Sequence, residues 1–357
     1  MSDAVMPTMQ TDSGTDLGTA FARVENASLH LVLLPTESCN FRCIYCYEEF
    51  RHTRMEPWVV RGVKRLLSRR AAGLESLTLS WFGGEPLLAR DLIEDLMMHV
   101  GGLARENPGL RVSADATTNG YLLTPTVAER LVELGVSRYQ ISFDGPRDWH
   151  DRKRVLAGGR GTFDRIWGNL LELRRLERDF TITIRVHVDR ENVGVVPRFI
   201  HDCAEAFRSD SRFELFIRGL ARLGGMNDAS QPVFERAEGD AVLEELRSFA
   251  RSLGLRTMPF PPADPVCYAA RANSYVVRAD GRLNKCTVAL EHPDNQVGRI
   301  NEDGTVDVDS EKLGVWMRGL GSSDPAELKC PMKGLADPPE RSRGEAAVAL
   351  AVTPATR

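Results

Sequence analysis

Three cysteines stand close together near the start of the chain, at Cys39, Cys43 and Cys46 in the segment PTESCNFRCIYCYEEF. Their C-x3-C-x2-C spacing lets one short loop wrap a single metal centre. A four-iron, four-sulfur cluster normally takes four thiolates. Three thiolates leave one iron with an open coordination position, which marks a site that binds a substrate rather than only holding structure. The plainer accounts are a structural zinc site short of one ligand, or unrelated core thiols. Three cysteines within eight residues, directly after an apolar run, make chance clustering a poor explanation.

The surrounding elements must hold such a loop. Short apolar runs at 29–34, 77–82, 110–116, 138–143, 181–188 and 213–220 alternate with amphipathic stretches at 57–72, 90–106, 125–134, 162–178 and 193–207, and a helix over about 239–253 follows the last run. Strand alternating with helix implies a parallel sheet with right-handed crossovers. Six repeats predict an α/β fold, a partial (β/α)6 barrel of TIM type rather than the full eight. Residues 1–26 read as a flexible lead-in, 27–255 as the barrel and 256–334 as a small extension. Residues 335–357 read as a disordered tail. The Pro-rich break MPFPPADPVC marks the start of the extension. Two hairpins follow it, NSYVVRADGRLNKC and VGRINEDGTVDVD, each with arms around a turn containing Asp-Gly.

A (β/α) barrel gathers its active site at the C-terminal ends of its strands, and polar motifs stand at those ends. The second strand runs into Gly83-Gly84-Glu85-Pro86, where the glycines allow close approach of backbone to a ligand and Glu85 offers a carboxylate to an ammonium group. The third ends in Thr117-Thr118-Asn119-Gly120, with Asn119 either a cofactor contact or a turn former. On the fourth, Gln140, Ser142 and Asp144 alternate onto one face. On the fifth, Arg185 and His187 share a face; Arg185 suits a carboxylate clamp, and His187 reads as a satisfied barrel histidine. Cys203 lies in an amphipathic stretch and reads as a small buried apolar residue.

The cysteine loop, with an aromatic residue (Tyr45) before its third cysteine and offering a flat apolar face, resembles the signature of the radical S-adenosylmethionine (SAM) superfamily. The GGEP segment at Gly83–Pro86, the TNG at Thr118–Gly120 and the stretch QISFDG with His150, Asp151 and Arg154 extend that resemblance to the peptide- and protein-modifying branch. The resemblance implies a [4Fe–4S] cluster on Cys39, Cys43 and Cys46. SAM would chelate the fourth iron, with Gly83, Gly84, Glu85, Asn119, Ser142, Asp144 and Arg185 as its contacts. It implies cleavage of SAM to a 5′-deoxyadenosyl radical that abstracts a substrate hydrogen. A precursor peptide or protein is the implied substrate, and flavodoxin or ferredoxin the electron donor.

Cys267, Gly281 and Cys286 resemble the opening of the SPASM or twitch extension, which carries auxiliary iron–sulfur clusters. The pattern then lapses: after Cys330 the remaining cysteine positions hold Lys333, Pro339 and Arg343. The extension is therefore an incomplete one, with at most one auxiliary cluster on Cys267, Cys286 and Cys330. The aperiodic stretch after about Lys333 reads as the product of a truncation or altered frame. The residues before the barrel are too few for a winged-helix leader-binding domain.

Two other functions stay in view. A sulfatase-maturing enzyme of the same superfamily has an aspartate base after the second hairpin cysteine, where this chain has Thr287, with Asp280 and Glu291 nearby. A non-catalytic SAM or iron–sulfur binding protein is the alternative of another class. A net charge of −4 and no dense Lys/Arg block argue against nucleic acid as the partner. No apolar run reaches the roughly 20 residues of a membrane helix. The start MSDAVMPTMQTDSGTD lacks the basic and apolar regions of a secretory leader. A cytoplasmic location is expected, and reducing conditions there make metal ligation the better use of seven cysteines than disulfides.

Overall fold

A computed structural model of the chain describes residues 26–259 and 266–335. The expected lead-in and tail fall outside those residues, as does most of the Pro-rich break. Eight strands come first: β1 (Ser28–Leu33), β2 (Phe41–Cys43), β3 (Ser76–Trp81), β4 (Arg111–Thr118), β5 (Val136–Phe143), β6 (Arg154–Leu156), β7 (Thr181–Val188) and β8 (Phe213–Gly219). Helices α1 (Pro57–Arg70), α2 (Arg90–Glu106), α3 (Pro125–Glu133), α4 (Arg147–Lys153), α5 (Phe163–Leu173), α6 (Val196–Phe207) and α7 (Arg236–Ser252) lie along the chain among and after them.

β1, β3, β4, β5, β7 and β8 pair in that order, all parallel, and the sheet does not close on itself. This is the six-stranded partial barrel that the alternation predicts. In β3 the apolar set Leu77, Leu79 and Trp81 is buried while the residues between are half-buried, as a period of two requires. Helices cover the sheet through stripes such as Phe199, Ile200, Cys203, Ala204 and Phe207 of α6, so Cys203 is a core residue. α5 stops at Leu173, short of the expected 178, because RRLERD supplies almost no apolar face to bury.

Four more strands follow, β9 (Ser274–Val277), β10 (Arg282–Asn284), β11 (Gln296–Ile300) and β12 (Val306–Val308), then helices α8 (Ser310–Ser322) and α9 (Pro325–Lys329). Both expected hairpins form. The first turns at Asp280-Gly281, where Gly281 takes φ +84°. β9 lies parallel to β1, with His30 opposite Ser274, so the extension continues the barrel sheet to ten strands. No helix among the described residues is long and apolar enough to cross a membrane.

Candidate active site

The loop after β1 carries the three cysteines, and backbone contacts grip it on several sides. Its ends are tied by Glu37 N–H to His52 O and Met55 N–H to Pro35 O, both at 2.8 Å. Its middle is strand β2, which pairs antiparallel with β6 and sets Cys43 opposite Arg154. Strands of three residues carry no readable alternation, so this small sheet left no signal in the sequence. Asn227 Nδ2 donates to Ile44 O at 2.9 Å. A Cβ on Gly225 would lie 2.4 Å from Cys46 O.

The glycines after β3 complete the grip. A Cβ on Gly83 would lie 2.2 Å from Thr36 O, and one on Gly84 would lie 2.4 Å from Ser38 O. Gly83 also takes φ +118°. Both positions exclude a side chain because the cysteine loop's own backbone passes there. The close approach that the sequence reading gave to a ligand is thus already made by the protein.

One cavity of about 160 Å³ collects most of the expected residues: Cys39, Cys43, Cys46, Gly83, Gly84, Asn119, Ser142 and Arg185 all line it. Tyr45, Tyr47, Glu48, Arg154, His187 and Arg218 share its wall. Glu85 and Asp144 do not. Glu85 is fully buried behind the wall: Oε1 accepts from Leu87 N (3.0 Å) and Thr118 Oγ1 (2.7 Å), and Oε2 accepts from Asn119 N (2.6 Å). Burial outweighs those three bonds and pushes its pKa up. The carboxylate offered to an ammonium group in the sequence reading therefore fixes the β3 and β4 ends. Asn119 Nδ2 donates to Asn40 Oδ1 at 2.8 Å, and its Oδ1 accepts from Tyr121 N, so it serves both loop and turn.

Asp144 belongs to a buried network. The Tyr45 hydroxyl donates to Asp144 Oδ2 at 2.9 Å and accepts from Arg154 Nη1 at 2.8 Å. His187 Nδ1 lies 3.2 Å from Asp144 Oδ1. Tyr45 was expected to present a flat apolar face; its hydroxyl instead joins a carboxylate to a guanidinium. Burial alone would raise Asp144, but the hydrogen bond and charge of His187, with Arg154, bring it down to about 2. Burial, with Arg185, holds His187 down to about 4 despite Asp144. At neutral pH this pair is an ionised carboxylate beside a neutral imidazole, which suits a satisfied barrel histidine and not a proton shuttle.

The donor set fits an iron–sulfur cluster. No three His, Cys, Asp or Glu side chains among the described residues converge as one metal ion would need. A cluster spreads its thiolates over several irons. Burial pushes the Cys39 and Cys46 thiols up to about 12 and raises Cys43 as well. A bound cluster's own charge reverses that tendency. Arg154 Nε, Arg185 Nε and Glu48 Oε2 are buried in this wall with no hydrogen-bond partner, which leaves polar atoms for a polar ligand.

Glu48 and Arg218 were missed in the sequence. Glu48 lies two residues after the last cysteine, and burial first, then Glu37, pushes its carboxyl up to about 8 against Arg278. Arg278 was missed as well. It makes a two-point pair with Glu37, Nε to Oε1 at 2.8 Å and Nη2 to Oε2 at 2.7 Å, and so clamps the extension hairpin to the cysteine loop. Within the extension, Cys286 and Cys330 both act on the Cys267 thiol, and Cys267 N–H donates to Leu328 O at 2.8 Å. The three thiols thus share one neighbourhood.

Residues 33–202 match the model of the radical SAM superfamily. The chain is similar to Fe-coproporphyrin III synthase of Methanosarcina barkeri (strain Fusaro), 30% identical over 45% of this chain and 37% of that protein, so it spans little more than a third of that relative. It is similar to GTP 3′,8-cyclase of Klebsiella pneumoniae (strain 342), 28% identical over 76% of this chain and 83% of that protein. Its fold matches native anSMEcpe with bound AdoMet and Cp18Cys peptide at TM-score 0.61, with 18% identity and 80% of each chain covered. It also matches Streptococcus suis SuiB bound to precursor peptide SuiA at TM-score 0.53, with 14% identity over 81% of this chain and 66% of that one.

Proposed function

We propose that this chain, a radical SAM enzyme, acts on a ribosomally synthesised peptide or a protein and changes it at a C–H bond, by a crosslink or a related modification. One observation carries the reading. The three thiols of the signature loop open into the same cavity as the polar ends of β3, β4, β5, β7 and β8. When bound, the [4Fe–4S] cluster and SAM supply the one-electron chemistry that produces a hydrogen-abstracting radical.

The protein's part is positioning. Cys39, Cys43 and Cys46 hold the cluster. Asn119, Ser142 and the backbone at Gly83 and Gly84 border SAM, and Arg154 is the cation beside them, oriented by Tyr45 and Asp144. Phe41, Phe50 and Phe82 make apolar wall that limits water. Glu48 Oε2, buried without a partner, is the atom set to hold or release a proton. In the extension, Cys267, Cys286 and Cys330 would take one auxiliary cluster, and a flavodoxin or ferredoxin would deliver electrons.

The sulfatase-maturing alternative needs a base near Cys286. The Thr287 hydroxyl is bonded to Tyr268 OH at 2.8 Å. Asp280 is engaged by Arg282 and His52, and Glu291 by Arg278 and Arg51. None of the three lines the cavity, which favours the first reading. The test is anaerobic reconstitution with iron and sulfide, then addition of dithionite and SAM. Formation of 5′-deoxyadenosine is expected. A cluster-loaded protein that forms none overturns the enzyme reading in favour of a binding protein, and co-expression with a precursor peptide from a neighbouring gene tests the substrate by mass.

A further inference from the structure

Arg185 and Arg218 line the cavity from adjacent strands, both half-buried. In the β7–β8 register Arg185 stands opposite Phe216 and His187 opposite Arg218, so alternation puts all four on one face. Neither guanidinium has a carboxylate partner among the described residues. Arg185 Nε is buried with no partner at all, and Arg218 rests only over the Phe216 ring, 5.9 Å from its centroid.

Other arginines sunk in this protein have partners, though Arg154 Nε, like Arg185 Nε, has none. Arg278 has Glu37 and Glu291, Arg212 has Asp210, Arg247 has Ile217 O and Glu244, and Arg154 has Tyr45. Two like charges left beside each other at low dielectric are costly unless a counter-charge arrives. Burial pulls both below the ordinary arginine value, and for Arg185 the charge of Arg218 adds to it. The site is short of one anion.

The carboxylate of SAM is one source of that anion, but Arg154 is better placed for it. Arg154 sits opposite Cys43 in the small sheet, and its Nε is buried without a partner in the cavity wall. Arg185 and Arg218 stand on β7 and β8, with β3, β4 and β5 between them and β1 in the sheet order. The chain beyond Arg218, Gly219 and Leu220, continues the same wall.

We propose that Arg185 and Arg218 form an oxyanion subsite for the substrate, taking the carboxylate of an Asp or Glu side chain or of a peptide C-terminus. A guanidinium pairs a carboxylate through two N–H donors, and a second one beside it adds charge to the same receptor. The nature of the carrier rests on the peptide-modifying reading; the anion itself does not. It moves Arg185 from the cofactor, where the sequence reading put it, to the substrate.

The test uses the anaerobically reconstituted full chain with SAM present. Binding of two fluorescein-labelled amidated pentapeptides, Gly-Gly-Glu-Gly-Gly and Gly-Gly-Gln-Gly-Gly, is read by anisotropy. SAM and N-acetylglutamate are titrated by calorimetry. The Glu peptide is expected to bind at least about tenfold tighter than the Gln peptide, as a charge-assisted pair allows. R185Q and R218Q are each expected to erase that preference while SAM affinity holds, and R218K to keep part of it. Equal binding of both peptides to the wild type overturns the subsite and leaves the peptide reading standing. A tenfold loss of SAM affinity in R218Q overturns it too, by giving the guanidinium to the cofactor. If neither peptide binds but N-acetylglutamate binds the wild type and not R218Q, the subsite stands and the peptide reading falls. If none of the three binds, the subsite falls.

Discussion

The cysteine loop owes its shape to two glycines, and Gly84→Ala tests that directly. Gly84 has no left-handed φ, so the substitution adds a methyl group without backbone strain. That methyl would lie 2.4 Å from Ser38 O and 2.6 Å from Glu37 O, where a carbon and an oxygen ordinarily stay roughly 3.3–3.6 Å apart. The loop must therefore retreat by about 1 Å. Ser38 O accepts Glu85 N–H at 2.9 Å, and such a retreat takes that bond out of range at about 0.5–1.5 kcal/mol. Overpacking adds about 1–3 kcal/mol. A total of about 2–4 kcal/mol against docking of the loop corresponds to a tenfold loss or more of the SAM-ready arrangement. Iron and sulfide per chain after reconstitution, and SAM affinity by equilibrium dialysis, are the readouts, with far-ultraviolet circular dichroism to show that the sheet persists. Gly83→Ala carries the same overlap plus a φ of +118° and is expected to be worse by about 1–3 kcal/mol. Gly109→Ala, with nothing within 4 Å, is the neutral control. Full cluster content and unchanged SAM affinity in Gly84→Ala would refute the reasoning.

Alanine at Cys39, Cys43 or Cys46 is expected to abolish the SAM-responsive cluster signal, whereas Cys203→Ala, in the core of α6, is expected to keep it; electron paramagnetic resonance with and without SAM decides. Tyr45→Phe removes the hydroxyl between Arg154 and Asp144, at about 1–3 kcal/mol. It should weaken SAM binding roughly tenfold with iron content intact, and equal affinity would count against Arg154 as a contact. His150 is fully buried with Nε2 3.0 Å from Thr162 Oγ1, and burial first, then Arg154, pulls its pKa down to about 3. The unfolded chain gains that proton near pH 6.5 while the folded chain does not, so stability present at pH 7 is lost as pH falls. The loss from this residue alone is about 2 kcal/mol between pH 7 and pH 5. His150→Gln should flatten that part of the pH dependence of the urea midpoint, and an unchanged slope sinks the assignment.

The strands were legible because each buries one face at a period of two, and the helices because a stripe at 3.6 covers that face. α8 was missed although Asp309 caps it, accepting from Glu311 N and Lys312 N at 3.1 Å. Three glycines in its 13 residues, SEKLGVWMRGLGS, dilute the helical signal by about 1 kcal/mol each. α9 is a single turn and α4 only two, too short for periodicity to speak. At the site, the local motifs were readable because their residues adjoin in sequence. What was not readable is pairing across distance: that Glu85 spends its carboxylate on Thr118 and Asn119, or that Arg218 comes beside Arg185 with no counter-ion.

The same limit hid how the extension takes part. Two hairpins with D-G turns could have formed a separate lobe, and nothing in their composition says otherwise. Yet β9 joins β1 edge to edge, and Arg278, in the turn that follows β9, reaches 241 positions back to hold Glu37 with two bonds. Both side chains are almost wholly buried, at 2% and 3% exposure. Breaking a buried pair by removing one partner costs about 3–5 kcal/mol, because the other charge is stranded. Glu37 lies two residues before Cys39, so that charge would be stranded inside the cysteine loop. The first hairpin therefore shapes the loop through an ion pair, whatever its own cysteines bind, and a chain cut before it would lose the cluster site along with the extension.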